Sequence, residues 1–151
     1  MGEDARIAVR VWDLPTRLFH WALVLLVAAS LATGEFDSIL GAVTVEWHKR
    51  FGLAILALLV FRLAWGFAGG THARFASFLR GPRAVIGYAK GLFAGREQAD
   101  GAGHNPLGGW SVVAMLSALS VQVATGLFLV DEDYGFEGPL ARYASASVAD
   151  F

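Results

Sequence analysis

Four histidines carry most of the chemistry this sequence can offer: His20, His48, His72 and His104. There are 0 cysteines, which removes thiolate zinc sites, iron–sulfur clusters, disulfides and covalently attached haem. A bound metal would therefore rest on imidazole, carboxylate, thioether or a cofactor. Neutral imidazole is an axial ligand of haem iron, and helical bundles present such ligands from facing helices. The spacing around two of the four is regular. Gly34 follows His20 by fourteen residues, and Arg62 follows His48 by the same interval. On a helix that is close to four turns, or about 21 Å along nearly one face. Gly52 lies one turn after His48.

The elements that must carry these residues are apolar. The chain has 151 residues, 56% hydrophobic and 17% charged, whereas soluble domains carry about 25% charge. Net charge is −1, so a disordered, highly charged chain is excluded. Leu18–Gly34 holds no Asp, Glu, Lys or Arg, Phe51–Ala68 holds only Arg62, and Asn105–Val130 holds none. A bilayer core of about 30 Å needs roughly 20 apolar residues. These runs predict three transmembrane helices, over 16–33, 47–69 and 106–130, and an all-α membrane bundle. A cleaved signal peptide is the competing reading of the first run. The acids Glu3, Asp4 and Asp13 within its basic region, and its length, argue against that.

Basic residues set the expected orientation. Arg6, Arg10 and Arg17 precede the first helix, and Arg74, Arg80, Arg83, Lys90 and Arg96 lie in the loop after the second. The tail is acidic, with Asp131, Glu132, Asp133, Glu137 and Asp150. The positive-inside rule then puts the N-terminus in the cytoplasm and the tail outside. Trp12, Trp21, Trp47, Trp65 and Trp110 fall near the predicted helix ends, where interfacial anchors belong. Within segment 71–96, apolar residues from Phe75 to Phe93 recur at three- and four-residue intervals with basic residues between them. That pattern predicts an amphipathic helix on the inner leaflet, with a plain loop packed on the bundle as the alternative. The basic loop suits anionic lipid rather than nucleic acid. The expected organisation is a membrane domain, 1–130, and an acidic periplasmic tail or loop, 131–151.

With this topology His20 lies near the inner leaflet and His48 near the outer, roughly 20 Å apart in depth. They cannot share one metal, but each can hold one face of a separate haem. The alternative is two interfacial histidines bonded to lipid headgroups. One ionisable ring per leaflet favours ligation. Gly34 and Gly52 would let a flat cofactor pass close to the helices, or serve ordinary small-residue packing. Arg62 needs an anion, which a haem propionate or a lipid phosphate could supply. His104 is expected to cap its loop or to contact a propionate or a quinone. His72 reads as a surface loop residue.

The run Val11-Trp12-Asp13-Leu14-Pro15-Thr16-Arg17-Leu18-Phe19-His20-Trp21 resembles the opening of the bacterial cytochrome b561 and nickel–iron hydrogenase b-type cytochrome family. Trp47-His48 with Phe51-Gly52, and Phe61-Arg62-Leu63-Ala64-Trp65-Gly66, resemble its second helix. His72-Ala73-Arg74-Phe75 with Phe78, Arg80-Gly81-Pro82, and Gly103-His104-Asn105-Pro106-Leu107-Gly108-Gly109 resemble its inner loop. The resemblance implies a four-helix membrane bundle with two b haems in the bacterial inner membrane. It implies electron transfer between quinone and a periplasmic partner such as a hydrogenase or a c-type cytochrome. His20 and His48 match the family's metal ligands on its first two helices.

The family's other two axial histidines lie on a fourth helix, whereas here no His follows His104. A truncated product, completion by a second polypeptide, weak haem binding, and His104 as a substitute ligand all stay open. An electron-transfer subunit without catalysis of its own is the leading expectation. A non-redox membrane anchor or scaffold is the alternative. A proton path through His20, Arg62 and Gln122 is a third reading, opposed by the apolar stretch Val24–Leu31.

Overall fold

Asp13 starts the first helix. Its Oδ1 accepts the backbone N–H of Thr16 at 2.9 Å, and its carbonyl accepts that of Arg17 at 3.1 Å. This is an N-cap, and Pro15 sits in the first turn, where a missing amide is harmless. The computed structural model describes residues 12–35, 42–95, 104–131 and 136–143. Arg6, Arg10, Arg96, Glu132, Asp133 and Asp150, on which part of the charge reading rests, lie outside the described residues.

From its cap, α1 runs over Leu14–Glu35, and α2 follows over Ala42–Ala68. The pair is antiparallel and held at both ends. At one end the Trp65 indole Nε1 donates to Asp13 Oδ2 at 3.1 Å. At the other, His48 Nδ1 lies 2.9 Å from the Ser30 carbonyl oxygen. Because α2 begins before Trp47, His48 sits in its second turn rather than at its tip. A bond across the pair is therefore within its reach.

Two short elements, α3 (Phe75–Phe78) and α4 (Pro82–Phe93), lead to the third long helix, α5 (Pro106–Phe128). The periodic segment is thus broken into two. Leu79 is extended, and Pro82 disfavours helix in the residue before it, so helix restarts only at the proline. Helix α4 stops at Gly95, which takes a φ of 63° that a side chain would resist. It exposes Ile86, Leu92 and Phe93 together with Arg83 and Lys90, as a helix lying on a bilayer surface should. Asn105 caps α5, its Oδ1 accepting Gly108 N–H at 2.7 Å, and Pro106 occupies the first turn. Gly109 brings α5 against the Phe78 backbone, where a Cβ would stand 2.8 Å from the carbonyl oxygen. Beyond α5, β1 (Val130–Asp131) pairs antiparallel with β2 (Phe136–Glu137). Gly138 and Leu140 then bond back to the Leu129 and Leu127 carbonyls, so this part of the acidic segment folds over the end of α5.

The three long helices are each apolar and long enough to cross a membrane, and α2 is the most buried of them. Leu18, Leu25, Leu31, Phe67, Met115 and Val121 are exposed. In water such a surface would drive aggregation, whereas in lipid it is the contact face. The chain is an all-α, multi-pass membrane protein. Trp21, Trp47 and Trp110 are exposed near helix ends, but Trp12 and Trp65 turn inward to His104 and Asp13.

Removing the cap with Asp13→Ala should lower stability by about 1–2 kcal/mol. Trp65→Phe, which removes the bond across the pair and part of the ring stacked on Phe61, should cost at least about 1 kcal/mol. Thermal unfolding in detergent reads both, and an unchanged midpoint for Asp13→Ala would show that this end does not hold the helices together.

Candidate functional site

The sequence-predicted residues fall into two groups and one outlier. At the Gly34 end, α1, α2 and α5 part to leave an open cleft of about 910 Å³, within the usual range for cofactor sites. Its walls include Ser30, Gly34, His48, Gly52, Gln122 and Gly126. A Cβ at Gly52 or Gly126 would meet nothing within 4 Å, so these positions leave open wall rather than tight packing. Asp131 and Pro139, from the folded-back hairpin region, reach the rim.

His48 is seated on one turn of α1. A Cβ on Gly34 would approach its Cε1 to 3.4 Å, so the glycine leaves the ring room to lie against the helix. The Ser30 carbonyl can only accept, so Nδ1 must carry the proton in the 2.9 Å bond between them. That tautomer leaves the lone pair on Nε2. A carbonyl behind one imidazole nitrogen, orienting the other, is the usual support of a metal-ligating histidine.

The second group lies at the Asp13 end. Arg62 is only 4% exposed, so it does not reach out to lipid headgroups. Its guanidinium lies over the Phe75 ring, 4.9 Å from the centroid. Gly66 makes room for that ring, since a Cβ there would overlap it. His104 packs edge-on to Trp12 at 4.6 Å and against Phe78 at 5.0 Å. Among the described residues, Arg62 Nη1, His104 Nδ1 and Thr16 Oγ1 are buried without a hydrogen-bond partner. Orphan polar atoms of this kind are normally answered by water or by a ligand. Burial and the charge of Arg62 both push the His104 imidazole below its ordinary value. Burial works to raise the Asp13 carboxyl, but hydrogen bonds from Thr16, Trp65 and Gly70 outweigh it and hold the group below its ordinary value.

His20 stands apart. It is exposed, with its ring edge-on to Trp21 at 5.4 Å. His72 is half-buried in the turn after α2. No group of three His, Asp or Glu side chains that could hold a metal ion comes together among the described residues. Sequence reasoning missed Ser30, Thr33 and Gly126 on the cleft, and Asp13, whose charge bears on Arg62. Ser30, Thr33 and Gly34 do share one helical face, a small polar stripe that could have marked the seat of a ring. Asp13 was passed over because it lies just outside the apolar run, although folding brings its charge to bear on Arg62.

Residues 11–148 match the family model described as prokaryotic cytochrome b561. The chain belongs to that family. It is 24% identical over 151 residues to the probable Ni/Fe-hydrogenase 1 B-type cytochrome subunit of Escherichia coli (strain K12), covering 86% of this chain and 63% of that protein. It is 27% identical over 158 residues to the probable Ni/Fe-hydrogenase B-type cytochrome subunit of Rhizobium leguminosarum bv. viciae, covering 89% and 65%. The chain thus spans a little under two thirds of these relatives. No solved structure matches it. Membership of a b-type cytochrome family implies non-covalent haem, and the cleft meets that demand. It combines an imidazole of defined tautomer with glycine-lined wall of suitable volume.

A depressed His104 value has a consequence for stability. Between the folded value and the ordinary 6.5, the unfolded chain binds more protons than the folded one, so stability rises with pH across that window. Lowering the pH from about 7 to about 5 should therefore lower the unfolding midpoint, and His104→Phe should flatten that slope. Asp13 acts in the same sense but at lower pH. Its stabilisation is present above the ordinary 3.8 and is lost only as pH falls through the lower folded value.

Proposed function

We propose that this chain forms the ligand-bearing part of a dihaem b-type cytochrome that moves electrons across the bacterial inner membrane. The observation that carries the proposal is the seat of His48, with its Nδ1 on the Ser30 carbonyl and its ring on a glycine-lined cleft. His48 would hold an outer haem, with Gly34 and Gly52 leaving room for it at the cleft. His20 would hold an inner haem. Its exposed position on α1 suits completion of that site by a further element. A fourth helix or a second chain supplies the remaining axial ligands. The unsatisfied nitrogens of Arg62 and His104 would suit a propionate carboxylate or a quinone carbonyl.

Bound haem supplies reversible one-electron chemistry. The chain's own residues ligate, hold the imidazole in one tautomer, exclude water and set the local dielectric. The chain performs no bond chemistry itself and hands electrons between quinone and a periplasmic partner. That partner is a hydrogenase, as the names of the relatives suggest, or a c-type cytochrome. The excess of Arg and Lys at Arg17, Arg74, Arg80, Arg83 and Lys90 supports a cytoplasmic N-terminus, with α4 against anionic lipid on the same side. In this reading residues 1–130 form the membrane cytochrome domain, and 131–151 an acidic periplasmic tail or loop.

The test is a dithionite-reduced minus oxidised absorbance spectrum with haem stoichiometry, on the protein purified from its own membranes. Sharp b-type bands should appear and be lost in two steps, one with His20→Ala and one with His48→Ala. Gly52→Leu, which projects a side chain into the cleft, should weaken the same band as His48→Ala while leaving the helices folded. A featureless spectrum from the unsubstituted protein would leave a non-redox membrane anchor as the better account.

A further inference from the structure

We infer that Thr33 tunes the redox potential of the His48 site by sharing the Ser30 carbonyl with the ligand. The inference rests on the reading of His48 as an axial ligand. Nδ1 of His48 lies 2.9 Å from the Ser30 carbonyl oxygen, 3.4 Å from Thr33 Oγ1 and 3.5 Å from Ser30 Oγ. Thr33 Oγ1 in turn lies 3.0 Å from that same carbonyl and 3.0 Å from the carbonyl of Ala29.

A threonine bonded back to a carbonyl three or four residues earlier is ordinary in a helix. Here one of those carbonyls also holds the ligand. A carbonyl oxygen has two lone pairs and can serve both donors. Each donor draws electron density from it and leaves less for the other. The strength of the bond behind an axial imidazole is itself a lever on the metal. A stronger acceptor makes the ring more basic and favours the oxidised iron, lowering the potential. The one hydroxyl proton of Thr33 is divided between the Ala29 and Ser30 carbonyls at equal distance, and its share on Ser30 weakens that acceptor and so raises the potential. It does this from a half-buried position on the wall of the cleft. Thr33 is a positioning residue, since it acts through Ser30 and His48 and need not touch the cofactor.

Thr33→Val keeps the shape and removes the hydroxyl, while Thr33→Ser keeps the hydroxyl and removes a methyl. Redox titration of the b band lost in His48→Ala, on the whole protein in its membranes, separates the possibilities. Thr33→Val should retain the band and raise its oxidised-to-reduced ratio at fixed potential by at least about threefold. That is a fall of about 28 mV at 59 mV per tenfold for one electron. Thr33→Ser should titrate with the unsubstituted protein. A retained band with an unmoved midpoint in Thr33→Val would overturn the inference and leave the haem reading intact. Equal shifts in both variants would also overturn it, because packing rather than the hydroxyl would then be responsible. An unsubstituted protein with no band dependent on His48 would overturn the haem reading, and this inference with it.

Discussion

The structure depends on one pairing, that of α1 with α2, and on polar groups that close it at both ends. Inside a membrane the apolar faces of two helices gain little from meeting each other, because lipid is as apolar as leucine. Orientation must come from close packing and from the few hydrogen bonds available. Asp13 and Trp65 provide one such bond, and His48 with Ser30 provides another. The two lie at opposite ends of the pair. Together they set both the separation of the helices and their relative rotation.

That geometry determines what each end can do. Near Gly34, small residues on α1, α2 and α5 leave an opening instead of a packed seam, and the ring of His48 borders it. Near Asp13, aromatic side chains close over the gap and enclose polar groups instead. Arg62 is held under Phe75, and His104 between Trp12 and Phe78. A buried guanidinium is tolerable only with compensation, which the ring face and the Asp13 charge supply in part. The unanswered nitrogens at this end and the open wall at the other make both ends receptive, for different chemistry. Loop residues reinforce the division. Trp110 Nε1 donates to the Arg80 carbonyl at 2.9 Å at the Asp13 end, while the strand pair folds over the other end of α5.

Much of this is legible in the sequence because membrane helices are the plainest of signals. Without water to satisfy the backbone, an apolar run of this length has few structures open to it. The periodicity of 71–96 also marked an amphipathic segment, although not its division at Leu79–Gly81. That division is local and sterically imposed by Pro82. The site was legible in its residue types rather than its company. His48, Gly34 and Gly52 share a cleft, as their spacing along antiparallel helices allows. Ser30 and Thr33 carry no comparable mark, since serine and threonine are common in membrane helices for packing alone.

The sequence by itself determined three apolar helices and the spacing of each ionisable group along its helix. These follow from composition, proline placement and a fixed rise per residue, which are local. Only the tertiary structure decided the tautomer of His48, the enclosure of Arg62 and the inward turn of Trp12 and Trp65. Each depends on a partner far away in sequence: Ser30 for His48, Phe75 and Asp13 for Arg62, His104 for Trp12, and Asp13 for Trp65. Hydrogen bonds and ring contacts act over a few ångströms, so their partners exist only once the helices have been brought side by side.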